Sequence, residues 1–198
     1  MLIVGDGRLS LAPGVSFDEE SHEYRLNGRR LSGVTGRIAA RLGLRYDEAD
    51  GMLDGRCGEG SNIHRWVQEW IDTGRMSTVH PGALWVRDAL ETKYLGPNIL
   101  GVARSEVLVT DMRDYASAVD ILVERDGAYD IYDIKTGKFN PEYLAWQLGC
   151  YRWFLTLRGL DVKRCMCLCV RDRMAYNVRP RGAEDVRALL YGGQGYGD

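Results

Sequence analysis

The chain has 198 residues, of which 45% are hydrophobic and 27% charged, and its formal net charge is −2. This length and composition are ordinary for one globular domain with a hydrophobic core. They exclude a membrane-spanning helix, because no apolar run is long enough to cross a bilayer.

The first predicted elements are a β-hairpin and a helix. Val15 to Leu31 is a short β region in which Asn27-Gly28 is a two-residue hairpin signal. Ser32 to Leu42 has apolar residues at helical spacing, and its arginines form either a solvated face or contacts to phosphate. Tyr46 to Gly60 is rich in acids and glycines and is predicted to be a short helix and a loop, since its spacing fits no EF-hand.

Two helices and a three-stranded meander come next. Ser61 is predicted to cap a helix that runs to about Thr73, and Pro81 is predicted to begin a helix that ends near Tyr94. The three predicted strands are Ala103 to Thr110, Tyr115 to Glu124 and Tyr129 to Lys135. Asp126-Gly127 predicts a hairpin between the last two strands.

The C-terminal part alternates between helix and strand. The predicted elements are a helix from Pro141 to Arg158, strands from Lys163 to Arg171 and from Met174 to Arg179, and a helix from Ala183 to Leu190. The strand after the long helix is expected to cross over and lie parallel to an inner strand. The fold class is therefore α/β with a mixed sheet (α+β).

One acid–lysine pair lies at the end of the third meander strand. Asp133 and Lys135 are two residues apart, so their side chains share one face at a spacing of about 6–7 Å. A salt bridge at a strand edge is the simplest interpretation, and a bound anion or metal is the alternative. On the helix that follows, Gln147 and Tyr151 lie four residues apart on one face.

Further acids are predicted to converge on this pair. Asp120 lies among small apolar residues and comes close to Asp133 if the meander is antiparallel, and Glu106 adds a third acid from the first strand. Three carboxylates repel one another unless a cation binds them, and oxygen ligands suit Mg²⁺ or Mn²⁺. His64 could add a nitrogen ligand, which favours Mn²⁺ somewhat. Lys135 could then orient water or neutralise charge on a phosphate.

The order of these motifs resembles the PD-(D/E)XK nuclease superfamily, in its RecB-like branch with the phage-type exonucleases. The matching segments are Gly60-Ser61-Asn62-Ile63-His64, Glu106, Ala116-Ser117-Ala118-Val119-Asp120, Asp133-Ile134-Lys135-Thr136-Gly137-Lys138 and Gln147-Leu148-Gly149-Cys150-Tyr151, which span roughly residues 60–155. Phe17 to Tyr24 and Gly33-Val34-Thr35 are also similar to the N-terminus of small phage-encoded members. The resemblance implies a restriction-endonuclease-like core of helix, three-stranded meander, helix and strand.

The resemblance also implies a site and an activity. The implied metal ligands are His64, Asp120, Asp133 and the Ile134 backbone carbonyl, with Mg²⁺ or Mn²⁺ as the cofactor. The implied catalytic residues are Lys135, Asp133, Asp120 and Glu106. The implied substrate contacts are Gln147, Tyr151, Arg65 and Lys138, and the first two would position either the strand of the site or the DNA backbone. The activity is that of a DNA exonuclease leaving 5′-phosphates in phage recombination or processing, and the alternatives are an endonuclease of the same chemistry or a catalytically silent module that binds DNA or protein.

Partners and organisation follow from the same resemblance. The substrate is single- or double-stranded DNA with an end, and a recombination or single-strand-binding protein is a candidate partner. The nuclease domain would comprise residues 1–198, with an N-terminal extension over 1–56, a core over 57–191 and a flexible tail over 192–198. No signal peptide is recognisable, so a cytoplasmic location is expected, in the host cell if the chain is phage-encoded.

Two features depart from the family pattern or compete with it. Ser117-Ala118 stands where the family usually has glycine, and Gln68 stands where it often has glutamate. Neither change removes a metal ligand, so an active enzyme is expected. In that enzyme, Lys135→Ala should abolish turnover and leave folding nearly intact.

The aromatic side chains of Trp66, Trp70 and Trp146 belong either to a stacking surface or to the core.

The cysteines suggest an iron–sulfur cluster only at first sight. Cys57 precedes Cys165, Cys167 and Cys169, as in one iron–sulfur relative. On a strand, however, the outer two sulfurs of such a triplet lie about 13 Å apart, which is too wide for one cluster. The odd number of cysteines and the missing export signal indicate reduced thiols, and we expect these three to be buried apolar residues.

Overall fold

The computed structural model describes residues 3–5, 8–18, 21–44, 59–94, 96 and 99–192. Within these ranges the chain is a mixed α/β structure. The predicted loop of Tyr46 to Gly60 lies outside the described residues except for its last two positions, and so does the predicted tail after residue 192. In the described part of the chain, no helix combines the length and apolar character needed to cross a bilayer.

Ten strands are present among the described residues. They are β1 (Ile3–Gly5), β2 (Arg8–Ser10), β3 (Val15–Asp18), β4 (Glu23–Leu26), β5 (Arg29–Gly33), β6 (Ala103–Thr110), β7 (Tyr115–Arg125), β8 (Ala128–Lys135), β9 (Val162–Cys169) and β10 (Met174–Asn177). Eight of them form the main mixed sheet, and β3 and β4 extend it because β4 pairs antiparallel to β5. The predicted meander is confirmed, since β6, β7 and β8 pair antiparallel in sequence order.

Six helices are present among the described residues. They are α1 (Val34–Leu42), α2 (Glu59–Thr73), α3 (Pro81–Ala89), α4 (Ile99–Val102), α5 (Pro141–Leu157) and α6 (Ala183–Tyr191). A π-helical turn, Leu90–Tyr94, continues α3. Helix α5 crosses from β8 to β9, which pair in parallel, so the predicted crossover is confirmed. A parallel pair requires such a connection because the chain must return to the same end of the sheet.

Both hairpin predictions are confirmed by backbone geometry. Asn27 and Gly28 have φ of 50° and 81°, and Asp126 and Gly127 have φ of 50° and 76°. Positive φ at both central residues characterises the tight turn whose twist matches that of the flanking strands. Asparagine, aspartate and glycine adopt this conformation at low cost, which is why the local sequence was sufficient to predict both turns.

The sheet is covered on both faces. One core cluster joins the sheet to α5 and α6 and includes Leu148 and Phe154, and the other joins it to α2 and α3 and includes Val67 and Val86. Cys165, Cys167 and Cys169 belong to the first cluster, whereas Met166 and Leu168 belong to the second. The interpretation of the cysteines as buried apolar residues is therefore confirmed, and the strand is apolar on both faces, as inner parallel strands are.

Some predicted boundaries are wrong. Helix α2 begins at Glu59, so Ser61 lies inside the helix and does not cap it. Strand β9 ends at Cys169 and not at Arg171, because the chain turns there and Arg173 has a φ of 50°. Strands β1 and β2 were not predicted, since three residues carry no readable alternation.

Candidate metal and catalytic site

The site lies where β7 and β8 separate. Their antiparallel pairing ends at Ile121 and Tyr132, and beyond this pair the backbone of β8 continues its ladder with β9. Asp120 and Asp133 occupy the next opposing positions, so each carboxylate lies at the opening between the two strands. Asp120 Oδ2 accepts a hydrogen bond of 2.6 Å from the Ile134 amide, which ties the end of one strand to the other.

Glu106 faces this opening from β6 because of a local backbone irregularity. It lies opposite Asp120, between the pairs Ser105–Ile121 and Val107–Val119, but it is not itself paired in the ladder. Its φ is 48°, in the left-handed region, which costs an L-residue about 1–2 kcal/mol. Such strain is often found at functional sites, where the surrounding structure holds it in place.

At Glu106 the alternation of side chains along β6 shifts by one residue, so the residues after it point to the opposite face of the sheet from the one that the alternation before it predicts. Before it, Ser105 donates a hydrogen bond of 2.6 Å to Asp72 on α2. After it, Val107 belongs to the core cluster under α5, although residues two apart normally share a face. The neighbouring strand changes in the same place, with Val119 under α5 and Ile121 under α2. Glu106 and Asp120 therefore lie at the position where both strands change the face that they present to α5.

Three predicted residues come together as a group that could hold a metal. His64, Glu106 and Asp120 each offer one ligand atom, and these atoms lie within 4.8 Å of one another. His64 is placed by α2, whose Ile63 and Val67 are buried in the core, and its Nδ1 lies 3.7 Å from Asp120 Oδ1. One imidazole nitrogen and two carboxylate oxygens suit Mn²⁺ or Mg²⁺.

Asp133 and Lys135 form a buried ion pair beside this group. Lys135 Nζ lies 2.8 Å from Asp133 Oδ2, and Asp133 is fully buried while Lys135 is 5% exposed. Burial raises the pKa of Asp133 to about 7, Lys135 opposes the rise and Asp120 adds to it. Asp133 Oδ1 has no hydrogen-bond partner among the described residues. A buried carboxylate oxygen left open in this way fits a cation at the site.

Gln147 and Tyr151 brace the site from α5. Gln147 Nε2 donates a hydrogen bond of 2.8 Å to the Tyr151 hydroxyl, and Ser117 Oγ donates to the same hydroxyl at 3.4 Å. Both α5 residues are buried, so they contact the strands of the site and not the solvent. Burial, together with the charges of Asp133 and Asp120, raises the pKa of Tyr151 well above its usual value. The hydroxyl therefore stays protonated and acts through hydrogen bonds.

The remaining predicted contacts lie at the surface or in the core. Arg65 is exposed and donates a hydrogen bond of 2.8 Å to Asn62 Oδ1, and Lys138 is exposed just after β8. Trp70 and Trp146 are buried in the two core clusters. Trp66 is half-buried and stacks on His80 with a centroid distance of 5.5 Å. Of the three tryptophans, only Trp66 presents a surface to solvent.

Tyr143 and Ser117 are two residues of the site that were not assigned a role from sequence. Tyr143 is buried, and burial raises its pKa, while its neighbour Lys135 lowers it. It precedes Gln147 by four residues, as Gln147 precedes Tyr151, so the spacing of the three could have identified it. The contact between Ser117 and Tyr151 joins residues 34 apart, and no local signal indicates it.

The cysteines of β9 lie next to the site but are not poised to react. Burial raises the pKa of the Cys165 thiol to about 12 and raises that of Cys167 further above its usual value. Neutral thiols of this kind are poor nucleophiles and poor metal ligands. Cys57, the fourth residue of the considered cluster, lies outside the described residues.

Comparison with known proteins adds no assignment. No protein-family model matches the chain, and no curated protein matches it significantly. The chemistry of the site is determined by its own groups. These groups are a donor set for a divalent cation, a buried ammonium next to it, and a bracing network on α5.

Proposed function

We propose that the protein is a metal-dependent deoxyribonuclease of the PD-(D/E)XK type, and more specifically an exonuclease that leaves 5′-phosphates in phage DNA recombination or processing. The observation that carries the proposal is the meeting of two groups at one strand opening. His64, Glu106 and Asp120 form a donor set for a divalent cation, and the buried Asp133–Lys135 pair adjoins it.

The arrangement of the elements supports the proposal. A helix that carries His64 precedes the meander, and α5 and the parallel strand β9 follow it. This order agrees with a restriction-endonuclease-like core, in which the acid–lysine strand lies in the middle of the sheet. Gln147 and Tyr151 occupy the face of α5 that packs on the site, as the resemblance implies.

A divalent cation fits the residues present, and His64, Glu106 and Asp120 would hold it with Asp133 adjacent. Such an ion, when bound, supplies a Lewis acid for the phosphate and lowers the pKa of a water molecule. Lys135 presents an ammonium from a buried position, where the low dielectric strengthens its attraction for a phosphate oxygen that gains charge. Asp133 holds this ammonium in place through the 2.8 Å contact.

The bracing network fixes the geometry of these groups. Asp120 is held by the Ile134 amide, and Tyr151 is held between Gln147 and Ser117. Side chains fixed in this way need no rearrangement when charge develops on the substrate, which is the main contribution that a protein makes to phosphoryl chemistry.

The test uses linear DNA, single- and double-stranded and labelled at either end, with a closed circle as the control. Each substrate is incubated with Mg²⁺, Mn²⁺ or EDTA. Asp120→Asn should abolish cleavage, whereas Glu124→Gln, an isosteric change of an exposed acid on the same strand, should preserve it. Loss of linear DNA alone, only with metal, supports an exonuclease, and the surviving label reports its polarity.

Two other outcomes would change the assignment. Cutting of the circle would identify an endonuclease of the same chemistry. Binding of DNA without cleavage in any metal would favour a silent nuclease-fold module. The burial of both Asp133 and Lys135 is the observation that keeps the silent module as the second candidate, because substrate cannot reach them without some opening of the site.

A further inference from the structure

A stacked pair of aromatic rings lies close to the site. Phe139 and Tyr176 are parallel to within 16°, and their ring centroids are 3.9 Å apart. Phe139 follows the acid–lysine strand by four residues, and Tyr176 lies on the edge strand β10. Both residues are half-buried and pack against the core cluster under α5, so part of each remains exposed to solvent.

Strand register places Tyr176 in line with the site. Asp133 pairs with Cys167 on β9, and Cys167 pairs with Tyr176 on β10. Residues paired in this way point to the same face of a sheet, and adjacent strands are about 4.8 Å apart. Tyr176 therefore lies about 10 Å from Asp133, on the same face.

Three exposed cations lie on the chain segments next to the rings. Lys138 precedes Phe139, and Arg171 and Arg173 belong to the turn between β9 and β10. The Val170 amide donates a hydrogen bond of 2.8 Å to the Lys135 carbonyl, so this turn begins directly beside the end of the acid–lysine strand. None of the three cations is in an ion pair with another residue that the structure describes.

Asp172, the acid of this turn, offsets one of the three positive charges. Its Oδ2 lies 3.4 Å from Cys169 Sγ, and the same sulfur contacts the Gly137 carbonyl at 3.6 Å. The carboxylate is thus directed toward the base of the turn. The surface formed by Lys138, Phe139, Arg171, Arg173 and Tyr176, called here the aromatic–basic rim, carries net positive charge around exposed ring surface.

We infer that the aromatic–basic rim binds an unpaired, single-stranded segment of the nucleic acid, with a base stacked on the rings and phosphates on the cations. The inference rests on the proposed function, since it names the form of substrate that the site receives. Ring faces bind any base by stacking, and cations track the backbone, so this combination is typical of single-strand binding without sequence preference.

The alternative occupant of this edge is a peptide added to β10. A peptide would need main-chain hydrogen bonds from an edge strand, and β10 has only four residues. Three cations beside one acid also complement a phosphate backbone better than a neutral peptide. The single strand is therefore favoured, and the peptide becomes an outcome of the test.

The test measures binding in EDTA, so that no cleavage occurs, by fluorescence anisotropy of a labelled oligothymidine and of an abasic strand of equal length. The full chain should bind oligothymidine more tightly than the abasic strand. Tyr176→Leu, which keeps an apolar side chain but removes the flat ring, should weaken oligothymidine binding on the order of 5- to 150-fold and leave the abasic affinity unchanged. Tyr176→Phe should retain wild-type binding.

Charge variants test the second half of the inference. Arg171→Gln and Arg173→Gln should weaken binding of both strands and reduce the dependence of log K on log salt by about 0.7 for each lost phosphate contact. Arg152→Gln removes another exposed arginine, from α5, and should change neither quantity. Circular dichroism and thermal unfolding of each variant verify the fold.

The results separate this inference from the proposed function. Equal affinity for the two strands, with no effect of Tyr176→Leu in a folded protein, would overturn the stacking role. Absence of oligothymidine binding by the full chain would also overturn the inference, and binding of an extended peptide that is lost in the rim variants would then identify a peptide as the occupant. Binding that depends on the rim, without cleavage in Mn²⁺, would support the rim and refute the nuclease. Cleavage that no rim variant affects would support the nuclease and refute the rim as a substrate-binding surface.

Discussion

Replacing Lys135 by methionine tests whether the buried ion pair has the electrostatics that the structure indicates. Methionine keeps most of the apolar stem but removes the ammonium that lies 2.8 Å from Asp133. Removal of one partner of a buried pair typically destabilises a protein by about 3–5 kcal/mol, because the other charge is left uncompensated. Asp133 can avoid this cost by keeping a proton.

The effect should therefore depend on pH, and its sign can be worked out. The pKa of Asp133 in the folded protein, about 7, is above its ordinary value of 3.8, so stability falls as pH rises between these values and then levels off. Lys135 lowers the folded pKa, so the variant has a higher one and continues to lose stability above pH 7. The difference between the two proteins should grow by about 1.4 kcal/mol per pH unit there.

The assay is urea unfolding followed by tryptophan fluorescence in EDTA, at about pH 6.5 and about pH 9. We expect Lys135→Met to be about 2–3 kcal/mol more destabilising at the higher pH. Lys138→Met, a change of an exposed lysine three residues away, should have little effect at either pH. Equal destabilisation by Lys135→Met at both values would refute the reasoning. If the effect does depend on pH as expected, Lys135→Ala should leave folding nearly intact, as the sequence predicts, only at low pH.

Three further predictions concern strain, hydrogen bonding and burial. Glu106→Gly should be more stable than Glu106→Ala by about 1 kcal/mol, since glycine relieves the positive φ, and thermal melts should show a difference of about 2–4 °C; equal melting temperatures would argue against strain at this residue. Tyr151→Phe leaves the buried Gln147 amide without its acceptor and should cost about 1–3 kcal/mol in urea unfolding, whereas Tyr176→Phe should cost little. Burial raises the pKa values of Cys150 and Cys165 to about 12, so both thiols should resist iodoacetamide at pH near 8 in the native protein and react after denaturation. Peptide mass spectrometry measures the labelling, and rapid labelling of the native protein would contradict their burial.

Local sequence was enough for much of the secondary structure. Asn27-Gly28 and Asp126-Gly127 predicted their hairpins because a tight turn requires positive φ at two successive residues, and few residue types adopt it. Pro141 marked the start of α5 because proline is tolerated in the first turn of a helix. The prediction that Ser61 caps a helix was wrong, because serine is a favourable cap only where a helix begins, and this helix begins two residues earlier.

The residues of the site could be named from sequence, but their arrangement could not. Motif order predicted His64, Glu106, Asp120, Asp133 and Lys135 as site residues, with Gln147 and Tyr151 behind them. In the structure, ligand atoms of His64, Glu106 and Asp120 lie within 4.8 Å of one another, and Asp133 lies beside them in an ion pair with Lys135.

Tertiary structure decided which groups meet and how deeply they are buried. The face exchange at Glu106 depends on pairing with β7 and on the packing of α2 and α5, which are distant in sequence. The burial of Asp133, which raises its pKa, and the burial of Lys135 depend on the packing of distant elements such as α5 against the sheet. Side-chain chemistry is a property of the residue, but proximity and desolvation are properties of contacts between residues far apart in the chain, so only the folded structure determines them.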